Sequence, residues 1–351
     1  MAKCVFIVQG EGRGHLSQSV ALQEYLEDAG HSVEAVFAGC NNRRPLPGYY
    51  LEIFRDKLDC FASPFFLRTP NKKGIYVGRT ILFNLFRSPL YLREAGRIRR
   101  EINRLEPDVV FNFYDVVGAL ALRKTGPAIN RIGIGHHFYL HLDGYRCSVK
   151  RPFHQWLLKI HTRAIMNSCD HVLALSFREV LGNERIRVVP PLVRKEIREA
   201  GYTRGSRILV YLMNVGFISD LITIARDDPG FLVDLFSDLP TDTPVPPGIR
   251  LHAVNDRAFM EKMACCKGLI TTAGFDTVAE GAYVGAPLAV VPVRNHFEQR
   301  CNSMDVERSG LGVASDVISK EVLRQMKEID NRKFRQWVDR SGEEIINHMA
   351  V

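Results

Sequence analysis

The chain has 351 residues, which is long for one hydrophobic core and suits two domains of ordinary size. Hydrophobic residues make up 46% of it and charged residues 25%, as in ordinary globular proteins, so the composition excludes disordered and fibrous classes. The formal net charge of +8 favours anionic partners, which include phosphorylated small molecules, anionic lipid and nucleic acid.

Targeting signals and cysteine spacing bear on the compartment. The first apolar run, residues 4–8, is too short for the core of a secretory signal, and no run of about 18 uncharged apolar residues is long enough to span a membrane. The eight cysteines form no Cys-x-x-Cys motif and no Cys/His cluster with metal-ligand spacing. We therefore expect a cytoplasmic protein whose cysteines are buried thiols.

The N-terminal half alternates between apolar runs and amphipathic segments. Residues 4–9 predict a strand, residues 16–29 a helix with one apolar face, and residues 32–37 a second strand. This order begins a parallel sheet with covering helices. Further apolar runs continue the alternation at residues 109–111, 131–134, 171–175 and 187–189.

A second alternating series follows the stiff break at Pro190 and Pro191. Its predicted strands are residues 208–212, 250–254, 268–271, 288–291 and 312–314, and its predicted helices are 257–266, 277–283, 297–309 and 320–328. The sequence thus predicts an α/β protein with two doubly wound Rossmann-like domains that face a central cleft. We place them at 1–190 and 191–330, and residues 331–351 hold a final helix, 333–349, that packs back on the first domain.

A glycine-rich turn, Gly10-Glu11-Gly12-Arg13-Gly14-His15, separates the first strand from the first helix. Its glycines let the backbone approach a ligand closely. The motif lacks the last glycine and the acidic residue of a dinucleotide-binding fingerprint, and it has no P-loop lysine. A neutral imidazole, with a pKa of about 6.5, can accept a proton from a hydroxyl, so His15 is a candidate general base. The alternative is a histidine that only hydrogen-bonds the turn.

The strongest motif spans residues 271–302. A strand, a turn with Gly274 and a helix start offer open amides that suit a diphosphate, and Glu280 lies one turn inside the helix, where a carboxylate suits the hydroxyls of a ribose. Farther on, Glu298 and Gln299 offer acceptors and donors for a sugar.

This segment resembles the donor-site signature of GT-B glycosyltransferases, such as the MurG-like and UDP-glucuronosyltransferase-like families. The matching positions are Gly274, Thr277, Glu280, Gly285, Pro287, Pro292, Glu298, Gln299 and Asn302. The resemblance implies that the donor diphosphate is held by Thr272, Gly274, Phe275, Asp276 and Thr277. It also implies that Glu280 binds the ribose and that Glu298 and Gln299 bind the sugar, with Asn302 in the same donor set. The sequence departs from many relatives at Thr272, where they have histidine.

The glycine turn with its histidine also resembles these families, in which the histidine is the base. The resemblance then implies a metal-independent, inverting transferase without a cofactor, in which Asp115 orients His15. A helix cap is the alternative role for Asp115. On the acceptor side of the cleft we expect Gly12, Arg13, Gly14, His136 and His137. Adjacent histidines on an extended strand point to opposite faces, and no carboxylate cluster accompanies them, so we expect no metal site there.

The positive charge is concentrated between residues 68 and 104, which contain ten Lys or Arg and two Glu. A helix begins near Ser88 and Pro89 and carries an apolar stripe opposite a basic row, Arg93, Arg97, Arg100 and Arg104. The row is either a solvated face or a contact with anionic lipid on the inner face of the membrane, beside a lipid-linked acceptor. No nucleic-acid-binding module accompanies the charge, so nucleic acid is not expected.

The prediction is therefore a glycosyltransferase that moves a sugar from a nucleotide-sugar donor, a UDP-sugar in our hypothesis, to an acceptor hydroxyl. Two alternatives stay open at this point: a non-hydrolysing UDP-sugar 2-epimerase and a catalytically silent sugar-nucleotide or lipid-binding protein. The donor signature alone does not separate transferase from epimerase.

Overall fold

The computed structural model describes residues 1–41, 45–67, 76–143, 145, 152–212, 215–237, 239–293 and 296–349. They form two parallel β-sheets with helices between successive strands, which confirms the predicted α/β class and its two doubly wound halves. The first sheet ends at Val189 and the second begins at Ile208, on either side of the predicted break.

The first sheet has seven strands in the order β3-β2-β1-β4-β5-β6-β7. Its interior strand β1 (Lys3–Val8) is fully buried from Cys4 onward, because helices cover both faces of the sheet. The other strands are β2 (Ser32–Cys40), β3 (Leu58–Ala62), β4 (Val109–Phe113), β5 (Asn130–Ile134), β6 (His171–Leu175) and β7 (Ile186–Val189).

The second sheet has six strands in the order β10-β9-β8-β11-β12-β13. They are β8 (Ile208–Tyr211), β9 (Val233–Phe236), β10 (Ile249–His252), β11 (Gly268–Thr271), β12 (Leu288–Val290) and β13 (Val313–Ala314). Every predicted strand of both halves corresponds to an observed one. The sequence analysis missed β3 and β9.

Helices connect the strands and place their N-terminal ends near the carboxyl ends of the sheets. The first half contains α1 (Arg13–Asp28), α2 (Gly48–Phe54), α3 (Val77–Phe86), α4 (Ser88–Leu105), α5 (Val116–Leu122), α6 (Pro152–Met166) and α7 (Lys195–Glu199). The second contains α8 (Ile218–Asp227), α9 (Asp256–Met263), α10 (Phe275–Val284), α11 (Phe297–Arg308), α12 (Lys320–Gln325), α13 (Arg332–Val338) and α14 (Ser341–Ile346).

The C-terminal segment forms two short helices, α13 and α14, where the sequence predicted one. It contacts the first half of the chain. The indole N–H of Trp337 donates to the Ser176 carbonyl at 2.9 Å, and the Ser341 hydroxyl donates to the Pro191 carbonyl at 2.8 Å. Gly342 lies against the ring of Tyr25, where a Cβ would be 2.7 Å from the ring.

The expectation that all cysteines are thiols is wrong for Cys40, Cys60 and Cys301, which are disulfide-bonded. Cys40 and Cys60, on the adjacent parallel strands β2 and β3, are joined by a disulfide with Cα atoms 5.6 Å apart. Strand pairing brings the two side chains to the same sheet edge, which their separation of 20 residues did not reveal. Cysteine usage therefore does not argue for a reducing compartment. Within the described part of the chain, no helix is both long and apolar enough to cross a bilayer.

Candidate active site

His15 lies in the first turn of α1, directly after the glycine-rich turn. The turn needs glycine at Gly10, where a Cβ would lie 1.7 Å from the carbonyl oxygen of Gly39. The His15 side chain is 9% exposed, and its Nδ1 lies 3.2 Å from Oε1 of Gln18, one helical turn away. Burial lowers the pKa of His15 to about 4, with a further contribution from His137. The imidazole is therefore neutral at pH 7, as a general base must be.

Rings from the first half surround His15. Tyr114 stacks on His137 with centroids 4.1 Å apart, lies 5.8 Å from His15, and meets His161 edge-on at 5.4 Å. Its φ of +58° is rare for a residue other than glycine and is typical of strained positions at functional sites. Sequence reasoning missed Tyr114 and His161, although Tyr114 directly follows β4.

Asp115 is a helix cap and not the partner of His15. Its Oδ1 accepts from the Gly118 amide and its Oδ2 from the Ser63 hydroxyl, both at 2.7 Å, at the start of α5. Both carboxylate oxygens are thus engaged, while Nδ1 of His15 contacts Gln18. The structure supports the capping alternative, and Gln18 takes the place that we had given to Asp115.

His136 and His137 begin a 3-10 turn after β5, and both are buried. Nδ1 of His136 lies 2.8 Å from the Leu175 carbonyl oxygen, and its ring stacks on Phe275 of α10 at 4.2 Å. Nε2 of His137 lies 3.1 Å from Oε2 of Glu298, at the start of α11. The expected acceptor-side histidines therefore contact donor-side residues of the second half directly.

Glu298 was expected to bind the donor sugar, and in the structure it faces His137. Burial disfavours its charge, but His137, followed by His296 and His15, outweighs burial and holds the pKa of Glu298 well below its usual range. The carboxylate is ionised at neutral pH and is 32% exposed. It lies among the imidazoles, beside the candidate base.

The N-terminal end of α10 faces the glycine-rich turn. Its N-cap is Gly274, which has no side chain to cap the amides of the first turn. Asp276, the second residue of the helix, accepts from Nε2 of Gln18 at 2.8 Å. A Cβ on Gly14 would lie 2.2 Å from Oδ2 of Asp276, so glycine permits this approach of the two halves.

Two residues of the predicted donor set, Asn302 and Gln299, use their side-chain amides to bond to the backbone of the protein. Asn302 is fully buried and donates to the carbonyl of Ala273 at 2.9 Å. Gln299 accepts from the backbone amide of Val293 at 2.8 Å. Thr272 is buried at 4%, and Thr277 is partly exposed on α10. Sugar and phosphate contacts of these residues stay predictions.

Glu280 does not face open space. It is 3% exposed, and both of its oxygens accept from Arg194, at 2.7 Å from Nε and 3.0 Å from Nη2. Arg194 also pairs with Asp256. Burial disfavours the Arg194 charge, but Glu280 and then Asp256 outweigh it and hold the pKa of Arg194 well above its usual range. Glu280 thus forms an ion pair with the segment that links the two sheets, and its contact with a ribose stays a prediction.

The basic row of α4 is partly neutralised. Arg97 pairs with Asp59 and Glu94, and Arg104 pairs with Glu101, while Arg93 and Arg100 are exposed. The opposite stripe is buried as predicted: Tyr91, Ala95, Ile98 and Ile102. Ser88 is the first residue of α4 and makes no capping bond. Residues 68–75 of the basic stretch lie outside the described residues.

Apolar residues are exposed on α3, a helix that the sequence analysis did not predict, although the apolar residues Phe83, Leu85 and Phe86 stand out in the sequence beside the basic row. The most exposed are Phe86 at 76%, Leu85 at 65% and Leu82 at 54%. Arg79 lies on α3, over the ring of Tyr76. Arg87 directly follows α3 and lies over the ring of Phe83. Among the residues that the structure describes, three or more His, Cys, Asp or Glu side chains never converge as a metal site requires.

Comparison with known proteins identifies a family to which the sequence of this chain is similar. The sequence model described as Glycosyl transferase family 1 matches residues 2–329. A protein of Methanosarcina mazei named as an uncharacterized glycosyltransferase is 24% identical over 341 residues, which cover 88% of this chain and 85% of that protein.

Solved structures share the fold over the whole chain. Acinetobacter baumannii MurG superposes with a TM-score of 0.59 and 13% identity, covering 99% of both chains. Phytolacca americana UGT2, complexed with UDP-2fluoro-glucose and pterostilbene, superposes with a TM-score of 0.60 and 14% identity, covering 99% of this chain and 93% of that one. The family match extends through both sheets and includes the facing turns of α1 and α10, and the chain therefore belongs to Glycosyl transferase family 1 as a glycosyltransferase with the GT-B fold.

Proposed function

We propose that the protein transfers a sugar from a UDP-sugar to an acceptor hydroxyl, with inversion at the anomeric carbon and without a metal ion or cofactor. The observation that carries the proposal is the position of His15. A buried, neutral imidazole stands in the first turn of α1, and the residue before it abuts the N-terminal end of α10. A proton acceptor and an anion-binding helix end thus meet where two domains face each other.

The donor diphosphate is assigned to the start of α10. This helix has ten residues, and its first amides carry no side-chain cap because the N-cap is Gly274. The amides of the first turn and the helix dipole favour a phosphate at this end. Two of the similar solved structures are described as complexes with UDP or a UDP-sugar analogue, which supports the choice of nucleotide.

The chemistry needs one proton transfer and one displacement. His15 removes the proton of the acceptor hydroxyl, and the oxygen attacks the anomeric carbon from the face opposite the leaving UDP. The bond to the diphosphate breaks with its electron pair, and the α10 amides stabilise the negative charge that develops. Glu298, ionised beside His15 and His137, favours the imidazolium that forms.

The test uses ligand binding and turnover together. UDP should raise the melting temperature more than GDP, TDP or CMP, because a ligand of the native state stabilises it. With a UDP-sugar and an acceptor screen, His15→Ala should lower turnover by about 10²- to 10⁴-fold, the usual contribution of a general base, while UDP binding is retained. Unchanged turnover overturns the base assignment. NMR of the anomeric coupling in donor and product tests inversion, and conversion of the UDP-sugar without acceptor would indicate the epimerase instead.

We also propose that α3 contacts an anionic membrane surface beside a lipid-linked acceptor. Large apolar side chains that are half or more exposed, such as Leu82, Leu85 and Phe86, are typical of interaction surfaces. Arg79 and Arg87 supply the positive charge that anionic headgroups attract. This assignment shifts the predicted contact from the α4 row, half of which is ion-paired, to α3.

A further inference from the structure

Gln18 connects His15 to a carboxylate of the other domain. Its side chain is 2% exposed, its Oε1 lies 3.2 Å from Nδ1 of His15, and its Nε2 donates to Oδ1 of Asp276 at 2.8 Å. His15 and Gln18 lie on α1 of the first half, whereas Asp276 lies on α10 of the second. A hydrogen-bonded chain of three side chains therefore crosses the cleft.

The chemistry of these groups fixes the direction of each hydrogen bond. An ionised carboxylate only accepts, so the amide group of Gln18 must turn its NH₂ side towards Asp276. The amide oxygen then faces His15 and accepts from Nδ1–H. A neutral imidazole carries a single proton, so Nε2 is left with the lone pair that can accept a proton.

We propose that ionised Asp276, acting through Gln18, holds His15 in the Nδ1–H tautomer and so makes Nε2 the proton acceptor. Gln18 and Asp276 are positioning residues, since they act through His15. The proposal rests on the proposed role of His15 as base. It also makes the base depend on contact between the two domains, because Asp276 reaches Gln18 only while α10 abuts Gly14.

Protonation of Asp276 reverses the arrangement. A carboxylic acid can donate to the Gln18 oxygen, and the amide can then rotate and turn its NH₂ side to His15, which selects the Nε2–H tautomer. Burial and, less strongly, Glu280 raise the pKa of Asp276, while Gln18, its own backbone amide and Arg194 lower it, and together they bring the pKa to about 7. Among the described residues, His137 and Glu298 act electrostatically on His15, and the ring of Tyr114 stacks 5.8 Å from it. Ionisation of Asp276 thus falls in the range where a pH effect can be measured.

The test observes the His15 ring directly. In protein labelled with ¹⁵N in histidine, the His15 signals are assigned by their loss in His15→Asn, and their shifts distinguish a protonated ring nitrogen from an unprotonated one. Wild type at about pH 8, where Asp276 is ionised, should show Nδ1 protonated and Nε2 unprotonated. Asp276→Ala and Gln18→Leu should both lose this preference. An Nε2–H tautomer in wild type, or an unchanged Nδ1–H tautomer in both variants, overturns the proposal.

A double variant separates the relay from general damage to the site. In Gln18→Glu combined with Asp276→Asn, the new carboxylate can accept from Nδ1–H of His15 while the new amide donates to it, so the Nδ1–H tautomer should return. Failure of the double variant to restore it, in a protein that still binds UDP, overturns the relay.

Turnover provides the second measurement. Gln18→Leu should lower kcat about tenfold with an unchanged KM for the donor, and the double variant should recover most of that loss. Equal kcat in wild type and Gln18→Leu overturns the positioning role. If wild type transfers no sugar to any acceptor, the proposed function fails, while the tautomer measurements still decide the relay.

Discussion

Arg194 and Glu280 form a bidentate ion pair in which each side chain is 4% exposed. Nε of Arg194 donates to Oε1 at 2.7 Å and Nη2 donates to Oε2 at 3.0 Å, so the planar guanidinium matches the carboxylate. Arg194 follows the last strand of the first sheet, and Glu280 lies on α10 of the second half. The pair therefore fixes the linker segment against the helix that carries the candidate donor site.

Replacement of Arg194 by Ala should be strongly destabilising. Removal of one partner leaves the other as a buried, uncompensated charge, which costs about 3 to 5 kcal/mol of unfolding free energy. Urea denaturation of Arg194→Ala and wild type at pH 7 measures the difference. Arg257→Ala is the matched control, because its ion pair with Glu261 is 89% and 65% exposed and such pairs contribute little. Equal losses of unfolding free energy in the two variants would contradict a stabilising role for the Arg194–Glu280 ion pair.

Several of the strands that the sequence predicted have apolar side chains on both faces. Parallel strands covered by helices appear as continuous apolar runs, and β1 and β6 are examples. The two missed strands each contain an aspartate, Asp59 in β3 and Asp234 in β9, which interrupts the run. Both carboxylates are paired in the structure, Asp59 with Arg97 and Asp234 with three basic side chains from other elements: Arg207, His252 and Lys262. Such compensation is a tertiary property that local patterning does not reveal.

The candidate site was predictable where its motif is local. His15, its glycine turn and the start of α10 follow from spacing along the chain. Gln18 was also within reach, since it lies one turn after His15 on the same face of a helix. The contacts Gln18–Asp276 and Arg194–Glu280 join residues 258 and 86 positions apart, so nothing in local spacing indicates them.

Asp276→Asn should change how stability depends on pH. Burial raises the folded-state pKa of Asp276 from its usual 3.8 to about 7. Its contribution to stability is therefore complete below about pH 3.8 and is lost as the pH rises through about 7. Asparagine does not titrate, so between about pH 5 and about pH 8 the variant should lose less unfolding free energy than wild type, by roughly 1 to 4 kcal/mol.

Urea unfolding of both proteins at each pH measures this difference. His15 acts in the opposite sense, because its pKa is lowered to about 4 and its contribution grows as the pH rises from about 4 to about 6.5. That contribution is common to both proteins and cancels in the comparison to first order. Parallel pH curves for the two proteins would show that Asp276 is ionised throughout.

Gly14→Ala should disturb the contact between the two domains without harming the helix. A Cβ at Gly14 would lie 2.2 Å from Oδ2 of Asp276, so the carboxylate must move and its bond to Gln18 is lost. Loss of one hydrogen bond, worth about 1 kcal/mol, corresponds to a fall in kcat of roughly fivefold. Steady-state kinetics measure it. Gly48→Ala at the start of α2 is the control, since a Cβ there meets nothing within 4 Å. An unchanged kcat for Gly14→Ala would show that turnover does not depend on the close contact of Gly14 with Asp276.

Substitution of the exposed apolar residues of α3 should abolish binding to anionic vesicles. Leu85 and Phe86 are 65% and 76% exposed, and burial of each such side chain in a lipid interface stabilises binding by about 1.5 to 3 kcal/mol. We expect the double substitution Leu85→Ser and Phe86→Ser to weaken co-sedimentation with phosphatidylserine vesicles at least tenfold at low salt. Leu181→Ser is the control, because Leu181 is 94% exposed but lies in the loop between β6 and β7, at the opposite edge of the first sheet from β3, the strand that α3 follows. If wild type ignores these vesicles at low salt, or if Leu181→Ser weakens binding as much, α3 is not a membrane surface, and the charge excess of this region serves another purpose.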